Sequence, residues 1–149
     1  MRWTLSAVLL FLSIPMVATT EQQALRNVGD AIAVPLSDVT GSAEKGEKIF
    51  AARDAGHCVL CHQVNGLDAP FQGNIGPALS GIGDRLSPAQ IRLRIVDASI
   101  LNPQTIMPSY YRSEGLHRVD ERYEGRTALS GAQIEHLVAY LAQLRSQNE

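Results

Sequence analysis

Both cysteines of this 149-residue chain lie in one pentapeptide, Cys58-Val59-Leu60-Cys61-His62. The order C-x-x-C-H places two thiols about one helical turn apart and an imidazole directly after them. This is the spacing at which two thiols add to the two vinyl groups of haem, with the histidine as the proximal iron ligand. The motif therefore predicts covalently attached haem c, held by Cys58 and Cys61 with His62 on the iron.

The pentapeptide has two other interpretations. A C-x-x-C pair is also the redox centre of haem-free thiol-disulfide oxidoreductases, although no βαβ pattern surrounds the pair in this chain. A zinc site would need further cysteine or histidine ligands at typical spacing. The histidine that follows the second cysteine, and the total of 2 cysteines in the chain, favour haem.

Residues 1–20 have the layout of a secretory signal peptide. Arg2 is followed by an apolar run, Leu5–Val17, and then by the small residue Ala18. The run is shorter than the ~20 apolar residues of a spanning helix, which disfavours a membrane anchor. The sequence thus predicts export to the periplasm, with a signal peptide over 1–20, an N-terminal arm over 21–41 and one domain over 42–149. The arm is interpreted either as a contact for a partner or as a frayed tail.

Removal of the leader takes away Met1 and Met16, so Met107 is left of the 3 methionines in the full chain. Pro108 favours an extended conformation at Met107, from which the side chain would reach across a pocket. Met107 is therefore predicted as the second axial ligand, with an ordinary buried methionine as the alternative. The competing ligands are histidines, with His117 as the main rival, and all are otherwise interpreted as solvated surface side chains: His57, His117 and His136.

Helix signals divide the rest of the domain. Apolar spacing predicts helices over 42–53, from residue 87 to before Asn102, and from residue 130 towards the C-terminus. The last two begin with capping boxes, a serine followed three residues later by a glutamine: Ser87 with Gln90 and Ser130 with Gln133. Gly46 either admits a neighbouring helix or is merely tolerated. No segment alternates long enough to predict a strand, so the fold class is all-α with long loops.

Composition narrows the class of partner and raises a question about the core. A net charge of -2 argues against nucleic acid as the main partner. Only 5% of the residues are aromatic, so the haem macrocycle is expected to supply apolar volume that side chains do not. Six arginines are interpreted as part of a solvated face of mixed charge rather than as groups that steer anions or pair with haem propionates: Arg92, Arg94, Arg112, Arg118, Arg122 and Arg126.

The chain resembles class I cytochromes c across nearly the whole of the predicted mature domain. Gly46-x-x-x-Phe50 is similar to that family's N-terminal helix, which packs on the C-terminal helix, here beside Tyr140. Gly76–Leu79 is similar to the family's loop after the haem site. A narrower resemblance, to the SoxX family, rests on longer segments: Gly73–Pro77, Ile95–Asp97, Leu101–Arg112 and Gly115–Val119.

These resemblances carry implications for structure and role. They imply a class I cytochrome c fold over 42–149, in which the Pro77 carbonyl accepts a hydrogen bond from His62 and Tyr110 packs against the haem. SoxX proteins are monohaem subunits that pair with SoxA, a larger cytochrome, in a periplasmic complex. That complex joins thiosulfate to a cysteine of the carrier SoxYZ, and electrons pass to a downstream acceptor cytochrome.

The resemblance also bears on catalysis. SoxXA is an L-cysteine S-thiosulfotransferase, but haem attachment would consume Cys58 and Cys61 and leave this chain without a free thiol. The chain alone is therefore not expected to be catalytic. A freestanding electron shuttle without an enzyme partner is the alternative.

Overall fold

The computed structural model describes residues 27–146. The proposed signal peptide, residues 1–20, lies outside them, as does the start of the N-terminal arm. The described part is mainly helical: α1 is Ala43–Ala51, α2 is Ile82–Arg85, α3 is Pro88–Asp97 and α4 is Gly131–Gln143. Two-residue strands β1 (Asn27–Val28) and β2 (Ala31–Ile32) form an antiparallel hairpin in which Asn27 pairs with Ile32. None of the described helices is long and apolar enough to cross a membrane.

The helix starts follow the local capping signals. Ser87 and Ser130 each accept a hydrogen bond from the backbone of the glutamine three residues later, and each glutamine side chain bonds back to the capping residue. Ser42 caps α1 through the backbone nitrogen of Lys45 at 3.4 Å. The capping boxes satisfy backbone donors that would otherwise lack partners in the first helical turn. All three predicted helices are therefore present, with α3 ending at Asp97 and continuing into a 3₁₀ turn, Ala98–Ile100.

Helices α1 and α4 cross in close contact at Gly46. A Cβ atom at this position would overlap the backbone carbonyl of His136 and come within 2.7 Å of the Tyr140 Cβ. One turn further along α1, the Phe50 ring packs on the Tyr140 ring with 5.7 Å between centroids and 52° between planes. Gly46 therefore admits the neighbouring helix, which settles the choice that the sequence left open.

The described part of the N-terminal arm packs on the domain itself. Ile32 is buried, and its carbonyl accepts a 2.7 Å hydrogen bond from Arg92. Glu135 on α4 accepts two hydrogen bonds from Arg92 on α3, at 2.7 and 2.8 Å, and a third from the Leu36 backbone at 3.0 Å. Because this pair is buried and fully bonded, it ties residues 27–41 to both helices.

Two polar side chains lie where the sequence interpretation did not place them. Arg92 was assigned to a solvated face, but its side chain is only 7% exposed. His136 was interpreted as a solvated surface histidine, but it is buried and its Nδ1 accepts a 3.0 Å hydrogen bond from the Ser42 backbone. Both interpretations are wrong for the same reason: backbone groups far away in sequence, at Ile32 for Arg92 and at Ser42 for His136, lie against these side chains and supply their hydrogen-bond partners.

Helix α2 lies between the first and second predicted helices, where the sequence pattern predicts no helix. It has four residues and begins after Gly81, whose φ of 70° lies in the left-handed region that favours glycine. Gly83 packs against the end of α4, where a Cβ would overlap the Ala142 carbonyl, and its backbone nitrogen donates to the Leu144 carbonyl at 3.0 Å. So short a helix has no apolar period of its own and depends on this tertiary contact.

Replacement of Gly46 by alanine tests the helix crossing. Alanine has the higher helix propensity by about 1 kcal/mol, but the new methyl group would meet rigid backbone on α4, so overpacking of about 1–3 kcal/mol opposes the gain. We expect Gly46→Ala to lower the free energy of unfolding of the haem-loaded protein, measured by denaturant titration. Glu47→Ala, at the next and exposed position of α1, is the matched control. An unchanged or higher stability for Gly46→Ala would contradict the close contact.

Candidate functional site

The C-x-x-C-H pentapeptide forms one tight turn. A 3₁₀ helix, Cys58–Leu60, begins after His57, whose φ of 56° is in the left-handed region. The backbone nitrogens of Cys61 and His62 both donate to the Cys58 carbonyl, at 3.1 and 2.9 Å. This turn brings both thiols and the imidazole to the wall of the same cavity.

A second loop, residues 73–77, runs beside the pentapeptide and is joined to it by backbone hydrogen bonds. Gly73 donates to the Val59 carbonyl at 2.9 Å, and Gly76 donates to the Cys61 carbonyl at 2.8 Å. A Cβ at Gly73 would overlap the Leu60 carbonyl, so only glycine allows the two backbones to come this close. The turn that carries the thiols is therefore held by its own backbone hydrogen bonds and by those from the second loop.

The same loop orients His62. Its Nδ1 lies 2.8 Å from the Pro77 carbonyl oxygen, which can only accept a hydrogen bond. Nδ1 therefore carries the proton, and the lone pair of a neutral imidazole is on Nε2, the atom available to a metal. Gly76 packs against the ring, since a Cβ there would overlap Cε1 and lie 2.7 Å from Nδ1. Sequence reasoning found the Pro77 contact by resemblance but missed this steric role of Gly76.

The cavity has a volume of about 380 Å³, within the ~300–1,000 Å³ range of small-molecule and cofactor sites. Its walls are predominantly apolar and come from each of the four helices, including Phe50, Ile82, Ile91, Ile95, Leu137 and Leu141. The six residues named from the sequence as haem-binding or iron-binding all line it: Cys58, Cys61, His62, Pro77, Met107 and Tyr110. Residues from three separate stretches of chain thus meet at one apolar space.

The other candidate ligands are placed differently. His57 lines the cavity beside Cys58, whereas His117 is exposed and lies outside the cavity wall. His136 is bonded to the Ser42 backbone, as described above. Arg94 lines the cavity and donates to the Gln90 carbonyl at 2.9 Å, so this arginine too departs from the solvated face assigned to it. Among residues 27–146, no three His, Cys, Asp or Glu side chains come together as a metal-binding group.

The chemistry of the two thiols bears on the choice between a haem site and a thiol-disulfide centre. Burial in the apolar wall raises the pKa of the Cys58 thiol to about 12. A reactive thiol-disulfide centre needs the opposite, a lowered pKa that populates the thiolate. Burial also raises the pKa of Tyr110, and the nearby Cys58 and Cys61 thiols add to that effect. An apolar cavity lined by two cysteines, an oriented imidazole and a thioether fits haem.

Gly76→Ala tests whether the packing of Gly76 against the His62 ring fixes the orientation of the imidazole. The new methyl group would displace the imidazole from its position against the loop and weaken the hydrogen bond to Pro77. We expect an altered absorption and electron paramagnetic resonance spectrum of the haem-loaded protein, because the imidazole orientation sets the ligand field. Gly115→Ala is the control: Gly115 has open space around it and, unlike Gly76, a positive φ of 63°, so alanine there adds backbone strain without a clash. Strain there lowers stability by about 1–3 kcal/mol without changing the spectrum. Identical spectra for Gly76→Ala and the unmodified protein would contradict the steric role.

Comparison with known proteins identifies the family of this chain. The family model for cytochrome c matches residues 43–145. A chain in the crystal structure of SoxXA from P. pantotrophus matches with a TM-score of 0.75 and 32% sequence identity, covering 85% of this chain and 98% of that chain. No curated protein matches the chain.

These matches confirm the all-α class I cytochrome c fold and the haem c prediction. Cys58 and Cys61 supply the C-x-x-C part of the attachment motif. This chain belongs to the cytochrome c family and is a SoxX-like electron-transfer cytochrome with covalently bound haem c.

Proposed function

We propose that this cytochrome is the electron-transfer subunit of a periplasmic heterodimer of the SoxXA type. Its partner is a SoxA-like cytochrome, and the complex joins thiosulfate to the cysteine of a SoxYZ carrier. That joining forms one sulfur–sulfur bond, releases one proton from the thiol and gives up two electrons, which pass by way of this subunit to an acceptor cytochrome. The match to nearly the full length of a SoxXA chain, 98%, supports this role over that of a freestanding shuttle.

In this proposal each site residue has a separate task. Cys58 and Cys61 would attach the haem, and His62 and Met107 would supply the nitrogen and sulfur ligands of its iron. When bound, the haem provides one-electron redox chemistry, which His/Met ligation directs towards electron transfer. The Pro77 carbonyl holds His62 in the tautomer that leaves Nε2 unprotonated. Tyr110, buried in the cavity wall, excludes water from the site.

The observation that carries the ligand assignment is the shared cavity. His62 and Met107 are separated by 45 positions in the sequence numbering and yet line the same apolar space as both thiols. Met107 also packs against the hydrophobic core, and its backbone nitrogen donates to the Thr105 hydroxyl at 3.2 Å. Its place in a loop, rather than on the inner face of a helix, favours a ligand over an ordinary core methionine.

Met107→Ala tests this ligand. We expect loss of the thioether-to-iron charge-transfer band and a lower reduction potential, because the thioether stabilises the reduced iron. The expected decrease is on the order of 0.1 V or more, since axial ligands set haem potentials over a range of about 0.8 V. His117→Ala, the matched control at the rival position, is expected to leave both unchanged. An unchanged band in Met107→Ala would transfer the ligand role to another residue.

Purified components test the role in thiosulfate oxidation. The haem-loaded chain is mixed with thiosulfate and SoxYZ, with and without the SoxA-like subunit, and haem reduction is followed by absorbance together with carrier modification by mass spectrometry. We expect both only when the SoxA-like subunit is present, because haem attachment leaves this chain without a free thiol. Conjugation by the chain alone would contradict the assignment. A strictly monomeric protein in native extracts would favour the freestanding shuttle.

A further inference from the structure

The segment that carries Met107 is a loop whose two ends return to the same point on α3. Residues 98–109 leave the C-terminal end of α3, and the chain then bonds back to that helix. The Tyr110 backbone donates to the Ile95 carbonyl at 3.2 Å, and the Tyr111 backbone donates to the Val96 carbonyl at 3.3 Å. We call residues 98–109 the methionine loop. Its closing point is next to Asp97.

Asp97 binds both ends of the methionine loop with one carboxylate. Oδ1 accepts hydrogen bonds from the Ser99 backbone at 3.0 Å and from the Ser109 hydroxyl at 2.6 Å, and Oδ2 accepts from Arg112 at 3.1 Å. The Asp97 side chain is 8% exposed, so these contacts are largely shielded from water. Burial by itself raises the pKa of Asp97, but the hydroxyl and backbone donors and Arg112 outweigh it and hold that pKa below its usual range. The carboxylate is thus ionised, and its hydrogen bonds are of the stronger, charge-assisted kind.

The remaining backbone hydrogen bonds of the methionine loop stay inside it. Leu101 and Asn102 both donate to the Ala98 carbonyl at 3.1 Å, and Thr105 donates to the Asn102 carbonyl at 3.0 Å. The Asn102 side chain accepts from the Gln104 backbone at 3.0 Å. These contacts give the loop a shape of its own but do not fix it to the domain. Ser109, two positions after Met107, is fixed through Asp97.

We propose that Asp97 is a positioning residue, which closes the methionine loop and thereby holds Met107 against the cavity. The inference rests on the proposed ligand role of Met107. Asp97 touches neither the haem nor substrate in this scheme; it acts through Ser109 and through the closure of the loop. Without the carboxylate, the Ser109 and Arg112 contacts are lost together, and the loop spends more of its time away from the cavity.

The test measures competition for the iron in the haem-loaded ferric protein. An added ligand such as imidazole binds only when Met107 has left, so its apparent dissociation constant falls as the open fraction rises. We expect Asp97→Ala to lower that constant by about tenfold or more, the effect of losing one or two hydrogen bonds to a charged group. Loss of the thioether-to-iron band reports the displacement. Asp97→Asn, which keeps an acceptor for Ser109, is expected to fall between Asp97→Ala and the unmodified protein.

Asp120→Ala is the matched control. Asp120 caps the 3₁₀ turn Glu121–Tyr123 through the Arg122 backbone at 2.9 Å and pairs with the Arg122 side chain, as Asp97 caps Ala98–Ile100 and pairs with Arg112. Its turn lies outside the cavity wall. We expect imidazole affinity to stay unchanged in this variant. If Asp97→Ala does not load haem, Ser109→Ala removes a single contact and should shift imidazole affinity in the same direction by a smaller amount.

The outcomes separate this inference from the ligand assignment. A thioether band that Met107→Ala abolishes, together with imidazole affinity in Asp97→Ala within twofold of the unmodified protein, would overturn the role of Asp97 alone. A lower unfolding midpoint for Asp97→Ala without a change in imidazole affinity would likewise reduce Asp97 to general stabilisation. Absence of the thioether band from the unmodified protein would overturn the ligand assignment and this inference with it.

Discussion

The crossing of α1 and α4 at Gly46 is the contact on which the rest of the structure depends. Because no Cβ separates the helices there, Phe50 on α1 and Leu137 and Leu141 on α4 reach the same cavity wall. If the helices moved apart by the width of a methyl group, that wall would open to water. These side chains are part of the apolar cavity wall in which Cys58 also lies, and burial there raises the pKa of its thiol.

Buried polar contacts join helices α3 and α4 and attach the N-terminal segment, residues 27–41, to them. The Arg92–Glu135 pair joins α3 to α4, and its remaining hydrogen-bonding atoms are used by backbone groups at Ile32 and Leu36. A buried ion pair contributes little net stability unless such further partners offset desolvation. Here the partners are supplied by the N-terminal segment, so the pair specifies where that segment lies. Only 5% of the residues are aromatic, so the core of this chain is completed by the Arg92–Glu135 ion pair and by the haem that its family carries.

What could be predicted from the sequence was local in origin. Some features depend only on residues within a few positions of one another, and local patterns in the sequence therefore predict them. These are the capping boxes at Ser87 and Ser130, the C-x-x-C-H turn and the start of α1. The burial of Arg92 and His136 and the existence of α2 depend on partners far away in sequence: Ile32, Ser42 and Leu144. No local pattern specifies those partners. Met107 could be proposed because haem chemistry restricts the choice of ligand, and Tyr110 could be proposed from the family resemblance. The closure of the loop that positions them could not be predicted, because it depends on tertiary contacts.

The two sides of the site are held by different kinds of contact. His62 lies between loops joined by backbone hydrogen bonds, at Gly73 and Gly76, and its ring is confined by the main chain itself. The methionine loop has internal backbone bonds, and two backbone bonds from Tyr110 and Tyr111 to α3 follow directly after it. The loop itself is joined at both ends through the Asp97 carboxylate. Side-chain contacts rearrange without breaking a ladder of backbone bonds, whereas movement of His62 requires both loops to separate. We therefore expect the attachment side of the cavity to be the more rigid and the methionine side to open first.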